Sequence, residues 1–188
     1  MVPSRSEAVK ILDDMVPNAN LKKHMYCVEA VMRALAKKYQ EDEEKWGIAG
    51  LLHDADWEKY PDEHPKVIIK KLREMGVEEE IVRAIASHGD NSEKYGERFE
   101  KRESLMDRAL FASDEVSGFV IACALVRPNK LDDLEAKSVV KKLKDKSFAA
   151  QVSREDIRNG AEELGVDLSE HIQLVIETLR RIKKELGL

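Results

Sequence analysis

Cysteine is nearly absent, with two in 188 residues, and aromatic side chains make up only 5%. Two cysteines, Cys27 and Cys123, far apart and each inside an apolar helical pattern, leave no CxxC metal knuckle and no disulfide framework. Both read as small buried hydrophobes in a reducing compartment. Glycine (9) and proline (5) are sparse and never gather into a phosphate-cradling loop or a low-complexity linker. No apolar run is long: Phe119 to Val126, eight residues, is the longest, far short of a membrane span. The N-terminus, MVPSRSEAVKILDD, lacks the apolar core of a signal peptide, so a cytoplasmic protein is expected. A surplus of positive charge is also missing. The net charge is -5 with pI near 5.7, which argues against a nucleic-acid polymer as partner, because counterion release needs a basic surface.

Charge and helical periodicity are what the chain has in quantity. Charged residues reach 37%, and apolar residues recur every three or four positions through most of the sequence, with almost no strand alternation. The expected class is all-α: one helical bundle over residues 1–188, with a core of about 21–126 and a helical extension of about 127–188. Helices are predicted over Glu7–Val16, Leu21–Tyr39 behind an Asn20 cap, and Glu41 into His53-Asp54. Two more are predicted, one preceded by Asp62 or Glu63 with Pro65 in its first turn and Gly76 just past its end, and one over Glu78–His88. A polar loop, Asp90–Arg98, reads as the most mobile segment. Ser104 then caps a long helix to Val126, ended by Pro128. Further helices follow over Leu134–Lys144, from the Ser153-x-x-Asp156 capping box to Leu164, and from a Ser169 cap to Leu186. The basic link from Arg127 to Lys146 is the one place where a boundary would fit.

Within this pattern, several polar residues stand on apolar helix faces. His24 shares its face with Leu21, Cys27, Val28 and Val31; His88 with Ile81, Ala84 and Ile85; Asp114 with Leu110, Phe111 and Ile121. The dyad His53-Asp54 ends the apolar run GIAGLL, and His64 shares a face with Val67 and Ile68. Gly50 and Gly118, one turn from Asp54 and Asp114, would let helices approach closely. An unpaired carboxylate on such a face carries a desolvation penalty of several kcal/mol. Few inward lysines or arginines are available, and a divalent cation with neutral imidazoles as co-ligands answers the need. His171 passes the same directional test among Leu168, Leu174 and Val175, yet it stands in the first turn of the last helix and is read as a core histidine.

His24, His53-Asp54, His64, His88 and Asp114 together resemble the HD superfamily of metal-dependent phosphohydrolases. Its pattern is a histidine, the His-Asp dyad and a distal aspartate, with two further histidines between them in binuclear members. The likeness covers about Leu21 to Val126. DEVSGFVIACALVRP, with KDKSFA and a C-terminal helix pair after it, resembles one subgroup of HD hydrolases and extends the likeness over most of the chain. The resemblance implies one ion held by His24, His53, Asp54 and Asp114, and a second by His64 and His88 with Asp54 bridging. It thus implies one or two divalent cations (Fe, Mn, Co, Ni, Zn or Mg), with Asp54 at the centre of catalysis. Many binuclear members read HDIGK; this chain reads HDADWEK, with Trp57 at the lysine position. Asp56, Glu58 and Lys59 are candidates for the group that lysine would supply, Asp56 first, with a loop or helix cap as its alternative role.

The function that follows is hydrolysis of a small phosphate ester, a nucleotide among the candidates, by a metal-activated water. No serine or cysteine stands in a nucleophile's context. Phosphate would need further positive charge, for which Arg127, Lys130 and Lys142 are candidates beside Lys141, Lys144 and Lys146. Arg127 ranks first because a guanidinium fork matches phosphate, although such a run is also what a solvated helix face looks like. Two other functions fit the same residues: a binuclear iron oxygenase of the superfamily, or a non-catalytic nucleotide-sensing module. A small molecule is the expected partner, with no membrane, and the chain is expected to be a monomer or homodimer.

Overall fold

The structure, a computed structural model, describes residues 1–89 and 101–188. The predicted loop Asp90–Arg98 lies outside the described residues. All described secondary structure is helical: α1 (Arg5–Met15), α2 (Ala19–Tyr39), α3 (Glu43–Leu52), α4 (Lys66–Glu74), α5 (Glu79–Ser87), α6 (Leu105–Leu125), α7 (Ala136–Lys142), α8 (Arg154–Leu164), α9 (Leu168–Arg181) and α10 (Lys183–Leu186). No helix among the described residues is long and apolar enough to cross a membrane.

Caps account for most departures from the expected boundaries. Asn18, not Asn20, caps α2: its side chain accepts from Asn20 N and Leu21 N at 2.8 and 3.2 Å, so the helix starts at Ala19. Ser4 and Glu7 form a reciprocal capping box that starts α1 at Arg5. Asp167, not Ser169, caps α9, accepting from Ser169 N and Glu170 N. The expected last helix is broken at Ile182 into α9 and the short α10.

The chain groups into two compact units, Met1–Phe111 and Ala112–Leu188, and the division falls within α6. The basic segment 127–146 is built into the second unit, with Leu131, Leu134, Val139 and Leu143 buried.

In the first unit the organising element is α3. Every residue from Trp46 to Leu52 is buried, as expected of a helix apolar on all sides. α2 lies along one side of it, with α1 and α5 on others and α4 against α5. Gly50 permits the α2–α3 approach: a Cβ there would stand 2.9 Å from Val28 O and 3.0 Å from Glu29 N. Buried Glu29 fixes three helices, accepting from Arg5 Nε at 2.7 Å and Arg33 Nε at 3.1 Å, while Arg33 also bonds Glu44. The consequence is a rigid α3 whose C-terminal end carries His53-Asp54.

The second unit uses its polar groups to tie down backbone. Gly160 of α8 lies against Ala112, where a Cβ would come within 2.7 Å of Ala112 Cα. Arg154 places its guanidinium 5.0 Å over the Phe119 ring and donates to the carbonyls of Ala149 and Val152 at 2.6 Å each. Phe148 packs edge-on to Phe119 at 5.8 Å.

Candidate metal centre

Four imidazoles of the first unit gather at the end of α3. His24 comes from the N-terminal third of α2, His53 and His88 are the C-caps of α3 and α5, and His64 lies in the turn between α3 and α4. Ring centroids are 5.4 Å apart for His24–His53, 5.1 Å for His53–His88 and 5.2 Å for His64–His88. His53, His64 and His88 are buried. The Asp54 carboxylate serves two groups: with His24 and His53, and with His64 and His88, it offers ligand atoms that lie within 4.8 Å of one another.

Hydrogen bonds fix how the rings face. His53 Nδ1 donates to Gly50 O at 2.8 Å, and His88 Nδ1 donates to Ile85 O at 2.5 Å. A carbonyl oxygen only accepts, so the proton of each neutral ring sits on Nδ1 and Nε2 keeps its lone pair. Both acceptors lie three residues back on the ring's own helix. His64 Nδ1 is bonded to Asp56 Oδ1 at 2.6 Å. His64 Nε2 and His88 Nε2 each stand 3.2 Å from Asp54 Oδ1.

This arrangement fits a divalent cation. Ring lone pairs aimed at a carboxylate repel unless positive charge lies among them. Two donors about 2.1 Å from one cation at angles of 90–110° are roughly 3.0–3.4 Å apart, which brackets the 3.2 Å contacts of His64 and His88 with Asp54. Two helices, α3 and α5, also end at the cluster, and each C-terminus carries about half a negative charge, favouring a cation there. Nitrogen and carboxylate donors together suit the first-row divalent metals.

The remaining predicted residues are placed differently. Asp114 is half-buried on α6, in the second unit. Asp56 is fully buried, with Oδ2 accepting from Ile68 N at 2.9 Å, so both its oxygens are bonded inside the fold. Lys59 is exposed and donates to Asp14 O at the end of α1; with Tyr60, Val67, Lys70 and Lys71 it lines a separate cavity of about 420 Å³. Glu58 accepts from Asn18 N at 2.9 Å. Trp57, 37% exposed, stands at right angles to the His64 ring with centroids 5.1 Å apart. In the second unit, Arg127 bonds Asp133 at 2.9 Å, Lys130 donates to Gly187 O at 3.2 Å, and Lys142 donates to Asp145 at 2.8 Å. His171, read as a core histidine, is buried with Nε2 2.7 Å from Ala112 O.

One contributor had no signal in the sequence. Arg102 lays its guanidinium 3.7 Å over the Phe111 ring and donates to Ser87 O and Gly89 O at 2.9 and 3.3 Å. It thereby holds the backbone on both sides of His88.

No curated protein and no solved structure matches the chain. Residues 21–118, just over half of the chain, match the HD domain. That span takes in all four clustered histidines, the His53-Asp54 dyad and Asp114. The protein belongs to the HD domain family, whose members are mostly metal-dependent hydrolases.

Proposed function

We propose that this protein is a metal-dependent phosphohydrolase acting on a small phosphate ester. The observation that carries the reading is Asp54, whose carboxylate is shared between two sets of inward-facing imidazoles. In this reading His24, His53, Asp54 and Asp114 hold one ion, and Asp54, His64 and His88 hold another. The place of Asp114 rests on the family match, which continues to residue 118. Divalent cations in such sites supply a water that ionises near neutral pH and polarise a phosphoryl oxygen. The chain's own part is orientation: Gly50 O and Ile85 O keep the His53 and His88 protons on Nδ1, so that both Nε2 atoms present lone pairs. A covalent thiol route is disfavoured, because burial pushes the thiols of Cys27 and Cys123 up to about 12 and about 11. Trp57, exposed beside His64, supports an ester carrying a flat ring, such as a nucleotide, which an indole face would stack against.

Released phosphate tests the reading. Nucleotides and simple esters are offered to protein loaded with Mn, Co, Ni, Fe, Zn or Mg. The expected result is turnover that a chelator abolishes, with a higher KM for ring-bearing esters in Trp57→Ala and little change for esters without a ring. No phosphate under any metal would overturn it, and oxygen uptake under iron would put the oxygenase in its place.

A further inference from the structure

We infer that Asp56 is a positioning residue that does for His64 what helix backbone does for His53 and His88. The inference rests on the proposed metal site and concerns how one of its rings is aimed. His53 and His88 are C-caps, so each finds its Nδ1 acceptor in the carbonyl three residues earlier, Gly50 O or Ile85 O. His64 lies between α3 and α4 and has no such helix behind it. Asp56 fills the gap with Oδ1, 2.6 Å from His64 Nδ1. Its Oδ2 accepts from Ile68 N, in the first turn of α4, at 2.9 Å. No side chain caps α4 from the N-cap position, Pro65, so this carboxylate satisfies one of the first-turn donors. A single side chain with no exposed surface thus ties together the dyad loop, the His64 ring and the start of α4. With both oxygens engaged, it has no free acceptor for substrate. Its effect on the chemistry runs through His64: a proton held on Nδ1 leaves Nε2 to ligate beside Asp54.

The isosteric substitution Asp56→Asn tests this, because one amide cannot accept from both donors. If its oxygen keeps Ile68 N–H, its NH2 faces His64 Nδ1 and drives the ring proton to Nε2, where it blocks ligation. The measurement pairs long-range ¹H–¹⁵N spectra of the zinc-loaded protein with titration of Mn or Co followed by metal analysis. In the unsubstituted protein the His64 proton is expected on Nδ1. In Asp56→Asn it should move to Nε2 while His53 and His88 keep theirs, and affinity for the second ion should fall about 10–100-fold with the first ion retained. An unsubstituted protein with the His64 proton on Nε2 overturns the inference, even if the variant fails to fold. Unchanged affinity for the second ion in the variant also overturns it and leaves the metal site standing. Failure of the unsubstituted protein to bind two ions counts instead against the proposed function.

Discussion

The buried histidines of the two units look alike one at a time and differ as a set. His171 in the second unit and His53 in the first are both sequestered and both bonded to a backbone carbonyl. What separates them is company. The Nε2 of His171 meets a peptide oxygen, whereas the Nε2 atoms of His64 and His88 meet a carboxylate that two groups share. A solitary imidazole in an interior satisfies the fold; imidazoles converging on one carboxylate make a group that could hold a cation. Burial and helix face alone do not distinguish the two cases, and convergence does.

Breaking the shared carboxylate should have the largest effect. Asp54→Ala is expected to lose both ions by metal analysis and to lower phosphate release by at least about 10³-fold, since removing the metals forfeits several kcal/mol of transition-state stabilisation. Next comes the support beneath it. Gly50→Ala pushes a methyl against Val28 O, a backbone atom that cannot swing aside, so denaturant unfolding should show a loss of about 1–3 kcal/mol. His171→Ala sharpens the contrast from the other side: it leaves Ala112 O without that partner and should cost about 1–3 kcal/mol while metal content stays unchanged. The smallest effect concerns the thiols. With the Cys27 thiol pushed up to about 12 by burial, the folded protein at pH 8 holds it protonated, so iodoacetamide should modify it far more slowly than in denaturant.

Most of the His/Asp cluster was legible because helix periodicity reports direction. His24 and His88 could be assigned to inward faces from neighbours three and four positions away, and the GIAGLL run announced a buried helix ending at the dyad. The basic candidates were less legible, because sequence gives the presence of Arg127, Lys130 and Lys142 but not their partners. Asp133, the Gly187 carbonyl and Asp145 bond them in the structure. Asp56 lies in a turn, where no period reports direction, so its bond to His64 eight residues on could not be read. Caps slipped by two residues for a related reason: Asn18 and Asn20 are both competent, and only backbone geometry selects between them. Arg102 left no trace because its acceptors are main-chain carbonyls, which every residue carries.

Metal per chain, measured side by side for the unsubstituted protein, His24→Ala, His64→Ala and Asp54→Ala, tests the central claim most directly. Two ions shared through Asp54 predict about two, one, one and none, with His24→Ala and His64→Ala each keeping the ion that the other loses. Equal metal loss from all three variants, or full occupancy in Asp54→Ala, would contradict a carboxylate shared between two sites.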